Sequence, residues 1–144
     1  MPKKLTQTEF RKIYTRVQRL CIQVILKNKD GILLTKRSIK SSYDGYWHIP
    51  GGTVFYHESV ESAVKRIAKE ELGVEIEVLK SLGYTEFTFE KTIGGGHSVS
   101  LLYLVKMKSG KIQLNKDASE FRYFEKPPKK TILEDKEYLE KLYP

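Results

Sequence analysis

The sequence contains a single cysteine, Cys21, set in an apolar run, so neither a disulfide framework nor a cysteine-based zinc site can be assembled within one chain. A reducing compartment and a cytoplasmic location are the expectation. No stretch approaches the roughly 18 to 20 consecutive apolar residues of a membrane span, and Met1-Pro2-Lys3-Lys4 leads into polar residues rather than a signal-peptide core. A soluble protein without a membrane partner is expected. Internal repeats and low-complexity linkers are also missing; the nearest thing to a connector is Lys126-Pro127-Pro128-Lys129-Lys130.

What is there reads as one globular domain over residues 1–144: hydrophobic residues make up 40% and charged residues 31%, which separates the chain from disordered and fibrous classes. The formal net charge of +8 favours anionic partners such as nucleotides, sugar nucleotides or nucleic acid. Twenty of the 26 basic residues are lysines scattered along the chain, a pattern that suits a solvated surface better than a binding stripe.

Phe10, Ile13, Tyr14 and Val17 recur at spacings of three and four, which predicts an amphipathic helix over 6–19. Leu20 to Leu26 and Ile32-Leu33-Leu34 read as strands of a hairpin turned by Asn28-Lys29-Asp30-Gly31. A polar loop from Ser38 to Tyr46 leads to Trp47-His48-Ile49-Pro50-Gly51-Gly52, a short extended piece that proline and glycine must end. A helix follows, with Val60, Ala63, Val64, Ile67, Ala68 and Leu72 on its apolar side, Ser59 as N-cap and Gly73 as its stop. Residues 75–90 are expected to be extended, with Phe87 and Phe89 on one face, and Gly94-Gly95-Gly96 to turn the chain into a strand in which Val99, Leu101, Tyr103, Val105 and Met107 alternate. A strand around Phe121 to Phe124 and a helix over about 133–142 complete the pattern, which predicts an α/β class with a mixed sheet between helices.

The segment Gly51 to Val74, GGTVFYHESVESAVKRIAKEELGV, is a tight loop feeding a helix that ends in two adjacent carboxylates before a glycine. Positions 67 and 71 stack one helical turn apart, while Glu70 stands about 100° round from Glu71. Two carboxylates near one helix end can meet a loop carbonyl. Such a set suits Mg²⁺, a hard ion that binds one or two carboxylates, keeps water and holds substrate phosphates. Bound there, the ion would neutralise a diphosphate and lower the pKa of a coordinated water.

This segment resembles the Nudix box, which reads Gly, five residues, Glu, seven residues, then Arg-Glu-apolar-any-Glu-Glu-any-Gly-apolar. Gly52, Glu58, Arg66, Ala68, Glu70, Glu71, Gly73 and Val74 fall on its positions without a gap, so the box occupies 52–74. The resemblance extends to the Trp47-His48-Ile49-Pro50-Gly51 lead-in, Lys36-Arg37, His97 to Val105 and Ser119 to Phe124, covering most of residues 20–125. It implies the family's α/β/α sandwich around a mixed sheet. It also implies Glu71 as a metal ligand, Glu70 as a second or water-mediated one, the Gly51 carbonyl as a third, and Arg66 as the residue that orients the glutamates. Glu58 belongs to the metal shell or fixes the loop.

The glutamate expected after Arg66 is Ile67, and a hydrocarbon can neither bind Mg²⁺ nor take a proton. An apolar residue at this place is shared with GDP-mannose mannosyl hydrolases, which the chain also resembles in Glu9-Phe10, Gly45-Tyr46-Trp47 and Glu71-Leu72-Gly73. That subfamily attacks the sugar carbon. Aligned on Phe121-Arg122-Tyr123, its base histidine is replaced by Ala118, its neighbouring ligand position by Asp117, and its first-strand aspartate by Gln23. Asp117 and Glu120 are therefore the candidates to complete the metal shell or act as base, against the plainer reading of solvated loop carboxylates.

Of the three histidines, His48 reads as a pocket wall, His57 as a loop residue able to reach a phosphate, and His97 as an exposed strand start. Arg37 ends a strand and suits a diphosphate through its bidentate fork. Tyr46, Trp47 and Phe55 read as core or pocket wall. The expected function is a Mg²⁺-dependent hydrolase, with Mn²⁺ as a substitute, acting on a small nucleoside-diphosphate-linked substrate such as GDP-mannose. The alternative, motivated by Ile67 and the basic charge, is a catalytically impaired nucleotide- or RNA-binding module. Relatives commonly form homodimers.

Overall fold

A computed structural model describes residues 4–38, 43–90 and 96–143, the side chains of 89 and 90 excepted. The element order is α1 (Gln7–Tyr14), β1 (Arg19–Asn28), β2 (Gly31–Arg37), β3 (Trp47–His48), β4 (Gly51–Thr53), α2 (Val60–Leu72), β5 (Glu75–Glu90), β6 (Gly96–Ser109), β7 (Ala118–Phe124) and α3 (Leu133–Leu142). The Phe89 side chain, Gly94 and Gly95 fall outside the described residues, as does part of the polar loop before Tyr46.

Helix α1 is shorter than the expected 6–19. Thr6 starts it with a capping box to Glu9, but the turn after Tyr14 tightens, with the Thr15 hydroxyl donating to the Arg11 carbonyl at 2.7 Å. Arg19 then pairs with Ser98 as β1 begins, so the sheet claims residues that periodicity alone assigns to the helix. None of the residues of α1 is buried.

The strands form one seven-stranded sheet, β3-β2-β1-β6-β5, with β4 also on β1 and β7 also on β2. The β1 and β6 strands run parallel while the other pairs are antiparallel, making the sheet mixed as expected. Cys21 to Leu26 are all buried, the sign of a central strand covered on both faces. One face carries Ile22, Val24 and Leu26 against Ala63, Val64, Ile67, Ala68 and Leu72 of α2; the other carries Ile25, with Leu34, Trp47, Ile49 and Leu102, against Leu139 of α3. The layers are therefore α/β/α. Strand β1 pairs with β2 through Lys27 and Asn28, and with β4 through Cys21, Ile22 and Gln23. Because β2 and β4 share one edge of β1 in this way, the box loop, Arg37 and the middle of β1 meet at one place.

Candidate active site

Helix α2 begins where Ser59 accepts from the Ser62 N–H at 3.1 Å, and it ends on Gly73 at φ 70°, a conformation glycine adopts without strain. A Cβ on Gly73 would lie 2.9 Å from the Cβ of Gln113, so the stop is also a close approach. The apolar stripe is buried. Ile67 is 1% exposed, and a Cβ on Gly52 would stand 3.3 Å from its Cγ1, which places this side chain in the core beneath the box loop.

Arg66 gathers the loop and the helix. Its Nε donates to Glu58 at 2.6 Å, Nη2 donates to Glu58 at 2.9 Å and to the Thr53 carbonyl at 2.7 Å, and Nη1 donates to Glu70 at 2.9 Å. The guanidinium carbon also lies 3.8 Å from the centre of the Phe55 ring. Glu58 in turn accepts the Phe55 N–H at 3.0 Å, closing the turn in which His57 has a left-handed φ of 66°. The Arg66 hydrogen bonds hold Glu58 below its ordinary pKa, so this carboxylate is a fixed anion. Glu58 thus fixes the loop, and Arg66 orients Glu70.

Glu71 lies one turn beyond Ile67 and is drawn toward the interior with it. Burial raises its pKa to about 7, the charges of Asp117 and Glu70 add to the rise, and an Asn115 hydrogen bond and the Arg37 charge oppose it. Asn115 ties this corner together, donating to the Glu70 carbonyl at 3.1 Å and accepting the Asp117 N–H at 2.9 Å. Glu70, Glu71, Asp117 and Arg37 are therefore brought together. Glu120 pairs with Lys36 at 3.7 Å and with Arg122 at 3.1 Å, and it is not among the charges that act on Glu71.

A cleft of about 290 Å³ lies beside this corner, and its wall includes Arg37, Gly51, Gly52 and His48. Glu70 and Glu71 are not among its lining residues, so Arg37 is the link between cleft and carboxylates. His48 shares a 3.0 Å hydrogen bond with the Thr35 hydroxyl, and burial followed by the Arg37 charge lowers its pKa to about 3, leaving a neutral wall residue. His57 is exposed and packs at a tilt against Tyr56, while His97 pairs with Glu86 at 3.2 Å, away from the cleft.

A family model described as the NUDIX domain matches residues 17–141. The chain belongs to the Nudix family. It is 27% identical over 128 residues to a low-salt glycan biosynthesis protein of Haloferax volcanii, spanning 86% of this chain and 81% of that protein. It is 30% identical over 106 residues to an ADP-ribose pyrophosphatase of Methanocaldococcus jannaschii, spanning 74% of this chain and 61% of that protein, under two thirds of its length. The crystal structure of a MutT Nudix hydrolase from Burkholderia pseudomallei superposes with a TM-score of 0.74 at 28% identity, covering 86% of this chain and 97% of that one.

Nudix hydrolases typically use divalent metals, and the donors here have the right chemistry for a hard ion: Glu71, whose raised pKa a cation would offset, with Glu70 and Asp117 near enough for their charges to act on it. Among the described residues no three His, Cys, Asp or Glu side chains form a ready cage. Mg²⁺ does not need one, since water and substrate phosphate supply much of its shell.

Sequence reasoning missed Asp135. It is 1% exposed in the cleft wall, where it accepts from Gln23 Nε2 at 2.7 Å and from the Ile49 N–H at 3.0 Å. A signal was present: Ile132, Asp135 and Leu139 share one helical face, so the buried stripe of α3 carries a carboxylate.

Proposed function

We propose that this Nudix protein is a Mg²⁺-dependent hydrolase, able to use Mn²⁺, that acts on a nucleoside-diphosphate-linked substrate, with nucleotide sugars such as GDP-mannose as the leading class. The observation that carries this reading is that the Arg66 array holds Glu70 next to Glu71, a half-buried carboxylate on which the charges of Asp117 and Arg37 both act. Glu71 and Asp117 are the proposed metal ligands, with Glu70 direct or through water and the Gly51 carbonyl as a further contact. Arg66 is the positioning residue, since both carboxylates it holds lose their orientation without it.

The bound ion supplies charge neutralisation and an acidified water. Arg37, at the junction of the cleft and the carboxylate corner, neutralises the diphosphate, and His57 in the exposed box loop is the second proposed substrate contact. Asp117 is better placed than Glu120 to take a proton, because Glu120 must first leave Lys36 and Arg122. The relative's glycan biosynthesis role supports a sugar nucleotide, and the ADP-ribose pyrophosphatase supports a diphosphate-linked one.

Purified protein incubated with GDP-mannose, ADP-ribose and nucleoside triphosphates is expected to show turnover that chelation abolishes. Glu71→Gln is expected to reduce kcat by about 100-fold or more. Full activity in Glu71→Gln would overturn this assignment. The buried Ile67 favours one competing reading, a nucleotide- or RNA-binding module, which predicts metal-independent, steeply salt-sensitive RNA binding without turnover.

A further inference from the structure

The two residues that cross the cleft floor have no place in the metal-centred reading. Gln23 comes from the middle of β1 and Asp135 from α3, and both are more than nine-tenths buried, at 6% and 1% exposure. The Gln23 Nε2 donates to Asp135 at 2.7 Å, and this fixes which end of the amide remains. Among the described residues Gln23 Oε1 is buried without a hydrogen-bond partner. A buried amide oxygen left unmet is destabilising, and a carboxylate that has accepted one bond at each oxygen still has lone pairs to offer. The cleft around this acceptor pair is of mixed character: Phe10, Phe87, Ile49 and Ile132 offer apolar wall, and Arg19, Arg37 and His48 line it as well.

We propose that Gln23 is a specificity-determining residue: its Oε1, held by Asp135, receives the hydrogen-bond donors of the group attached to the diphosphate. This inference rests on the hydrolase reading for the diphosphate and adds the class of group that the diphosphate carries. The shared chemistry is a flat or ring-shaped moiety whose edge presents N–H or O–H donors, and either a nucleobase or a sugar can supply it. An isostere that offers an acceptor at that edge would face the Gln23 oxygen and be rejected. Asp135 is the positioning residue, because the fixed Ile49 N–H keeps one of its oxygens in place and Gln23 must bring its amide nitrogen to the other.

The test is calorimetric binding of GDP, IDP, GDP-mannose and magnesium pyrophosphate to the full chain, with the fold of each variant checked by circular dichroism and melting. The wild type is expected to prefer GDP over IDP by about ten-fold if the base is read, or GDP-mannose over GDP by about ten-fold if the sugar is read. Gln23→Met erases that preference, while pyrophosphate, which carries no such edge, binds wild type and variant alike. Asp135→Asn supplies the reading a merely structural role would not give. Its oxygen stays on the Ile49 N–H, its amide faces Gln23, and Gln23 must turn and show Nε2 to the cleft, so the preference is lost or reversed while pyrophosphate affinity holds. Equal wild-type affinities within two-fold, a preference that survives both variants, or no binding of any nucleotide overturns the inference. Binding with the expected preference but no turnover removes only the hydrolase reading.

Discussion

Arg66 commits its donors to two carboxylates and one peptide oxygen, and no other residue type offers that fork. Lysine keeps the charge but not the bidentate geometry. Arg66→Lys is therefore expected to destabilise the fold by roughly 1–3 kcal/mol, read by urea denaturation, and to lower kcat through misplacement of Glu58 and Glu70. Ile67 is equally constrained. Because it is 1% exposed under Gly52, Ile67→Glu is expected to lose about 3 kcal/mol or more of stability rather than simply restore a metal ligand. A variant that melts like wild type and gains turnover would show that the pocket can open to receive the carboxylate. Glu71 gives a pH dependence. Its folded pKa, about 7, lies above the ordinary 4.5, so its contribution is fully present below about pH 4.5 and is lost as pH rises through 7. In chelator, Glu71→Gln is expected to melt above wild type at pH 8 and to lose that advantage at pH 4. A thermal-shift series across pH decides it.

At the scale of elements, the box helix is specified twice, by its cap residues and by its apolar stripe. Ser59, Gly73 and the buried positions from Ala63 to Leu72 were legible because capping chemistry and a period of 3.6 act locally. Helix α1 behaves differently. Its capping box fixes the start at Thr6, but its end depends on where β1 claims the chain, and periodicity carries no information about that. Since α1 buries no residue while Phe10 lines the cleft, Phe10→Ala is expected to change stability by no more than about 0.5 kcal/mol and to raise KM. A large drop in melting temperature with unchanged KM would show that α1 is structural instead.

Across the whole molecule, α2 and α3 cover opposite faces of one sheet; Glu71 of α2 stands at the carboxylate corner, Asp135 of α3 stands in the cleft, and Arg37 is shared between the two places. A ligand that spans both would tie the layers together. Mg²⁺ with GDP-mannose is therefore expected to raise the melting temperature of wild type, as binding to the folded state alone requires, and Glu71→Gln to abolish the metal-dependent part of that shift.

The sequence by itself determined the family, the box helix with its caps and the mixed α/β class, because motif spacing, caps and alternation act between near neighbours in the chain. Tertiary structure alone decided the rest: that Ile67 packs beneath Gly52, that Glu120 pairs with Lys36 and Arg122, and that Gln23 meets Asp135 across 112 positions of chain. Those outcomes depend on which faces the sheet turns toward each helix, and burial, partner choice and pKa follow from contacts that only the folded layers create.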